Sequence, residues 1–456
     1  MSFPRYPKYK DSGVGWLGEV PEQWRMLRLR FVSELNPSKS EIQNLSRETV
    51  VSFLPMEAIG DDGTLNLDNE RTIAQLEGGY TYLRDGDVTI AKITPCYENG
   101  KGAVMRGLLN GIGFGTTELI VARPKPQETT AEYLHYLFVS QQFRDLGESH
   151  MYGAGGQKRV PDTFVENFMS AFPPLREQLD IADFLDRETS KIDALVAEQR
   201  GLMELLKEKR QAVISHAVTK GLNPHAPMKD SGIEWLGEVP AHWKVKKMKW
   251  VAAMESGHTP DKKVPDYWEN GDIPWVSLND TGYLKDNEYI SETAYSITAK
   301  GIENSSARLL PSDVVVFSRD ATIGRCAITT RPMTVSQHFI AWVCGGELLP
   351  KYLLFRLRSM TQELDRLTSG ATVKTIGMPD VRTLVTPVPP MKEQRAIVDW
   401  ISTETDFIDR LAAEAQRAID LLQERRTALI SAAVTGQVDV RRGGVDAASV
   451  AVAATA

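Results

Sequence analysis

One phrase occurs twice in this chain of 456 residues. Lys10-Asp11-Ser12-Gly13-Val14-Gly15-Trp16-Leu17-Gly18-Glu19-Val20-Pro21-Glu22-Gln23-Trp24 returns as Lys229-Asp230-Ser231-Gly232-Ile233-Glu234-Trp235-Leu236-Gly237-Glu238-Val239-Pro240-Ala241-His242-Trp243. A second phrase, Phe172-Pro173-Pro174-Leu175-Arg176-Glu177-Gln178, is echoed by Val388-Pro389-Pro390-Met391-Lys392-Glu393-Gln394. Between these phrases the two copies have diverged. A kept frame around divergent inserts points to one scaffold that presents two different binding surfaces.

Each copy is a variable block followed by a long helical pattern. The first block contains short apolar runs flanked by turn residues, at Val50–Leu54, Asp87–Ala91 and Leu119–Ala122, which predict strands. Ala131–Phe143 predicts a short amphipathic helix. The second block repeats the order, with Asp313–Phe317 and His338–Val343 as strands and Tyr352–Leu364 as the helix.

The Pro-Pro pairs suit helix starts. In the first long helix Leu185, Ile192, Gln199, Leu206 and Val213 recur every seven residues, with Leu195 and Leu202 as expected partners. In the second, Ile401, Ile408, Ala415, Leu422 and Leu429 keep the same step, with Leu411, Ala418 and Ala432 as partners. This is the pattern of a coiled-coil seam. At about 1.5 Å per residue, Leu175 to Val218 would span roughly 65 Å.

The first long helix leads into a copy of the Lys-Asp-Ser-Gly phrase, whereas none follows the second. An N-terminal phrase packed where that copy would stand closes a pseudo-circle, which favours antiparallel pairing. The Ala/Val/Gly-rich stretch beyond Asp439 is expected to be disordered.

Composition limits the function classes. Apolar content is 42% and charged content 25%, ordinary for a globular protein. No apolar run approaches the roughly 20 residues of a membrane span. Met1–Lys10 has no apolar h-region, so no signal peptide is expected and the expected location is cytoplasmic. Cys96, Cys326 and Cys344 form no CxxC pair. The net charge of −7 counts mildly against nucleic-acid binding, although local charge on one face is what matters.

A search for catalytic motifs returns no Walker loop, no HExxH, no GxSxG and no Asn-Pro-Pro-aromatic motif. Gly111-Ile112-Gly113-Phe114-Gly115 reads as a turn rather than a dinucleotide loop. Binding signals are stronger. A small-residue loop with basic side chains follows each short helix: Gly153–Arg159, with Gly155, Gln157, Lys158 and Arg159, and Ser369–Thr375, with Gly370, Thr372, Lys374 and Thr375. Glycine lets backbone approach a phosphate, and the side chains can donate to phosphates or base edges. The polar patches Lys92, Thr94, Tyr97, Asn99, Lys101 and Arg319, Thr322, Arg325 follow predicted strands and are candidates for the same surface.

Together the repeated KDSG-[VI]-x-WLGEVP-x-x-W phrase, the Pro-Pro-[LM]-[RK]-Glu-Gln helix start and the Glu-[KR]-Arg…Ile-Ser…Val-Thr helix end resemble the specificity (S) subunit of type I DNA restriction-modification systems. The likeness covers about residues 10–438. It implies an α+β fold of two mixed α/β target-recognition domains, joined by two long helices in an antiparallel coiled coil with pseudo-twofold symmetry. The expected bounds are residues 1–171 for the first domain and 172–222 for the central spacer helix. They are 223–387 for the second domain, 388–438 for the distal helix and 439–456 for the tail.

The resemblance implies that double-stranded DNA is read as a split site, that two modification (M) subunits dock, and that restriction (R) subunits join. S-adenosylmethionine, ATP and Mg are then expected on those partners. This chain would bind no cofactor or metal, touch no membrane and catalyse nothing. Two rivals share some features: a tandem-repeat protein–protein adaptor without DNA recognition, and a fused enzyme carrying its own nuclease or methylase. The Gly/Lys loops argue against the first, and the missing motifs against the second.

Overall fold

The computed structural model describes residues 3–154, 156–370 and 374–441. It divides into two units, Met1–Gln199 with Arg417–Ala456, and Arg200–Gln416.

Unit 1 holds two four-stranded sheets. One runs in the order Ser33–Leu35, Leu119–Pro124, Val88–Ala91, Gly102–Val104, antiparallel throughout. Helix α1 (Ala131–Val139), capped where Thr130 accepts from the Tyr133 N–H, packs on it. The alternation of side chains along a strand explains why these strands are apolar on both faces. Val88, Ile90, Ile120 and Ala122 join the core under α1. Ala91, Leu119 and Val121 join a core shared with Leu54 and Leu83 of the other sheet. In that sheet Ile112–Gly115 is a strand parallel to Val50–Leu54, not the expected turn. Its glycines serve close packing, since a Cβ on Gly113 would lie 2.7 Å from Leu83 Cδ1.

Unit 2 repeats the first sheet with Ala252–Ser256, Phe339–Cys344, Val315–Ser318 and Cys326–Thr329, and adds a fifth strand, Tyr289–Ile290. Its short helix, α3, spans Pro350–Arg358.

The repeated phrases build the same frame in each unit. The Lys-Asp-Ser-Gly segment ends a short strand, Tyr9–Asp11 or Met228–Asp230, and enters a turn. Asp11 Oδ1 accepts from Gly13 N at 2.9 Å, and Asp230 Oδ1 from Gly232 N at 2.9 Å. Two long helices follow the Pro-Pro pairs, α2 (Leu175–Lys220) and α4 (Met391–Val434). The glutamine that opens each is buried and lies flat against backbone. Gln178 accepts from Thr129 Oγ1 (2.9 Å) and Thr130 N (3.0 Å), and donates to Glu128 O (3.0 Å) and Pro173 O (2.9 Å). Gln394 accepts from Leu349 N (2.9 Å) and donates to Glu347 O (2.8 Å) and Pro389 O (2.9 Å).

In unit 1 the end of α4 closes the frame. The Tyr133 hydroxyl lies 2.8 Å from Ala171 O and 3.2 Å from Val434 O. Gly436, at φ +72°, turns the chain against Trp24, where a Cβ would approach the indole to 3.2 Å. In unit 2 the end of α2 does the same through Tyr352, Val218 and Gly221, which faces Trp243. The N-terminal phrase thus meets the end of α4: Tyr9 Oη donates to Gly436 O at 2.9 Å and Asp439 N to Pro4 O at 2.8 Å. The segment just past α4 is ordered, against expectation. Val440 is buried in the core and Arg441 lies 4.8 Å over the Tyr6 ring. The rest of the expected disordered tail, 442–456, lies outside the described residues.

Within each unit α2 and α4 run antiparallel. In unit 1 Leu185 shares a core with Leu429 and Val434, while Asp193 pairs with Arg426 at 3.0 Å. In unit 2 Arg210 pairs with Asp409 at 3.1 Å, while Val218 shares a core with Ile397 and Ile401. Of the positions spaced by seven, Leu185, Ile192, Leu206, Ile401, Ile408 and Leu429 are buried, and Val213 and Leu422 are half-buried.

The expected partners Leu195 and Leu202 are exposed, at 45% and 41%, and this is a correction. Four residues after several of the seven-spaced positions the side chains are buried or half-buried instead: Thr189, Val196 and Met203 in α2, and Thr405 and Ile419 in α4. A step of seven fits partners at +3 or +4 equally well, and only packing distinguishes them. Among the described residues no helix is long and apolar enough to cross a membrane.

Candidate nucleic-acid interface

The Gly-rich loop of unit 1 is a small hairpin closed by Tyr152 and Arg159. Thr94 pins it from the neighbouring strand end. Its Oγ1 donates to Gly156 O at 2.7 Å and accepts from Lys158 N at 3.1 Å. Arg159 grips Glu118 with two parallel bonds of 2.9 and 2.8 Å. That guanidinium holds the Glu118 carboxyl below the usual carboxylate range. With Arg159 committed, the exposed Gln157 and Lys158 and the half-buried Lys92 are the side chains offered outward. Gly155 lies outside the described residues.

The rest of the first patch disperses. Asn99 is exposed. Lys101 donates to Met56 O at 3.2 Å and lies 3.8 Å from Asp61, so its charge is held locally. Tyr97, expected on the surface, is 3% exposed, and its hydroxyl donates to Phe143 O at 2.8 Å. It is a core residue: an aromatic ring at this strand end pays more by burial than by exposure.

Unit 2 places a different network at the matched position. Arg319 donates to Gln337 O (3.2 Å) and Ile376 O (3.1 Å). Asp320 accepts from Thr375 Oγ1 and lies 2.8 Å from His338 Nδ1. Thr375 closes the loop by a two-way backbone pairing with Ser369. Thr322, Gly370 and Lys374 are exposed beside it, and Thr372 lies outside the described residues. Arg325 departs from this set. It lines a separate cavity with Arg210, Gln211 and Arg358, against α2.

One feature escaped the sequence reading. Directly after each frame tryptophan comes a basic strand, Arg25–Arg28 or Lys244–Lys247, that leads into a helical turn carrying an exposed aromatic. In unit 1 these are Arg28, Arg30 and Phe31, in unit 2 Lys247, Lys249 and Trp250. Phe31 is 54% and Trp250 68% exposed. Arg30 lies 5.1 Å from the Phe31 centroid and Lys247 5.7 Å from that of Trp250. Aligning the two copies past Trp24 and Trp243 would have exposed the repetition.

Against known proteins, residues 240–419 match the model of the type I restriction modification DNA specificity domain. The chain is 39% identical over 189 residues to the EcoEI type I restriction enzyme specificity subunit of Escherichia coli. That match takes 41% of this chain and spans only about a third, 31%, of the relative's own length. Among solved structures, a chain from a type I R-M system, described for its complex assembly and conformational transition, has a TM-score of 0.72 at 20% identity. It covers 91% of this chain and 98% of that one. The HsdS subunit of Thermoanaerobacter tengcongensis has a TM-score of 0.55 at 19% identity, with the same coverage. These two likenesses concern the fold.

Proposed function

We propose that the chain is the DNA sequence-specificity subunit of a type I restriction-modification complex, each unit reading one half of a bipartite, asymmetric site; the match of residues 240–419 to the specificity-domain model and the likeness in fold support this reading. The observation that carries this reading is the matched position of the two loops on one frame with unlike chemistry. A Glu118–Arg159 pair occupies it in unit 1 and an Asp320–His338–Thr375 network in unit 2. Equal placement suits two readers of one duplex, and unequal side chains suit two different half-sites. The bounds 1–171 and 223–387 are proposed for the two readers and 172–222 and 388–438 for the spacer helices. A constant gap between the half-sites is part of this proposal.

The chain is proposed to be non-catalytic. Two M subunits, which hold S-adenosylmethionine, and R subunits, which use ATP and Mg, supply the chemistry. Exposed apolar side chains on the helices support such docking: Leu195 and Leu421 in unit 1, and Leu205, Trp400 and Phe407 in unit 2. The net charge of −7 fits weak DNA binding by the chain alone. Nanomolar binding by the isolated chain at physiological salt would contradict that division.

The deciding experiment maps methylated adenines in the host genome. A split motif with a fixed gap is expected. Exchanging residues 223–387 for those of another specificity subunit should change one half of the motif. A four-residue insertion after Gln199 should lengthen the gap alone. Loss of both halves on the exchange, or an unchanged gap on the insertion, would contradict the reading.

A further inference from the structure

Unit 2 contains a cavity of about 520 Å³ beside its reading loop. That is within the roughly 300–1,000 Å³ range of small-molecule sites. Its walls are aromatic. Trp268 meets Trp275 edge to face, with centroids 5.1 Å apart, and Trp275 is fixed by donation from Nε1 to His258 O at 3.0 Å. Tyr295, 52% exposed, stands at the mouth. Amide groups are at hand: Asn279 is exposed on the rim, and Gln337 is oriented by Thr259 Oγ1, which donates to its Oε1.

Ser336 lines the cavity and is fully buried, yet its Oγ has no hydrogen-bond partner among the described residues. The cavity also shares a wall with the reading network. The Gln337 carbonyl accepts from Arg319, and His338 pairs with Asp320, which holds Thr375 of the loop.

We propose that this cavity receives one unpaired nucleobase of the bound DNA. Trp268 and Tyr295 supply stacking faces, and Asn279 and Gln337 pair with the base edge. Lys262, exposed at the rim, offers a cation to the nucleotide's phosphate. The proposal rests on the DNA-reading role above. It adds that unit 2 reads one base outside the helical stack.

Extruding a base costs least where it is already mismatched. The test measures affinity of the full chain for duplexes carrying its mapped site, with a single mismatch moved through the half-site assigned to unit 2. One position should bind about 10-fold tighter than the matched duplex, and an abasic nucleotide there should lose the gain. Trp268→Ala should abolish the gain. So should Asn279→Trp, which fills the mouth from an exposed position and leaves the core untouched. A gain at no position, or one that persists in both variants, overturns the cavity's role while DNA reading stands. If the wild-type chain and its M complex bind no duplex at all, both readings fall.

Discussion

In unit 1 the buried Trp24 indole donates to Glu177 Oε1 at 2.8 Å. In unit 2 the equally buried Trp243 indole has no acceptor among the described residues, because Glu393 pairs with His242 instead, at 2.8 Å. The other repeated tryptophan differs too. Trp16 packs on Phe168 with centroids 5.3 Å apart, whereas Trp235 lies under the guanidinium of Arg356, 4.9 Å from its ring. Yet Gln178 and Gln394, and Tyr133 and Tyr352, make matching bonds to backbone carbonyls. The frame is therefore kept where side chains meet backbone, which cannot mutate away. It drifts where side chain meets side chain.

The largest test of this contrast removes the backbone locks. Gln178→Ala and Gln394→Ala each strand several buried backbone groups and should cost about 3 kcal/mol, with similar losses in the two units. Denaturant midpoints followed by probes in each unit would show it. A loss in only one unit would break the equivalence.

Next comes the tryptophan pair. Trp24→Phe leaves Glu177 buried without its donor and should cost about 2 kcal/mol. Trp243→Phe removes an N–H that has no partner among the described residues, so packing alone is lost, about 1 kcal/mol or less. Equal costs would refute the assigned difference.

Arg356 sharpens it further. The side chain is 1% exposed, its Nε and Nη2 have no hydrogen-bond partner among the described residues, and burial lowers its pKa to about 10. Arg356→Leu should be neutral or stabilising by about 1 kcal/mol, read from the thermal midpoint of unit 2.

The smallest effect concerns the reading loops. Glu118 titrates below its unfolded value because Arg159 stabilises the carboxylate. That contribution is full above the ordinary glutamate range and is lost as pH falls through the depressed folded value. Amide exchange at Tyr152 and Arg159, compared with that of their global unfolding, should lose protection as pH drops below about 4. Arg159→Ala should lose it already at pH 7. The unit 2 loop, which lacks this pair, is the control.

Much of this was legible from residue order. The repeated phrases, the strand runs at Val88, Leu119, Val315 and Phe339, and the seven-residue seam all depend on local chemistry and spacing. The reading patches were legible only in outline. Lys92, Thr94, Arg159, Arg319 and Thr375 lie at or beside the two loops, but Tyr97 enters the core and Arg325 turns to α2. Residue type shows that a side chain can bind, and not which way its strand end points.

Duplication, long amphipathic helices and a closing N-terminal phrase were thus determined by the sequence alone, because each is a pattern of period or identity. Tertiary packing decided the rest. It buried Val196 and left Leu195 exposed, although both fit the repeat. It gave Glu393 to His242 and left Trp243 without an acceptor. It also assembled a cavity in unit 2 from strands and loops far apart in the chain. Such choices depend on through-space distances of a few ångströms, which a one-dimensional repeat does not encode.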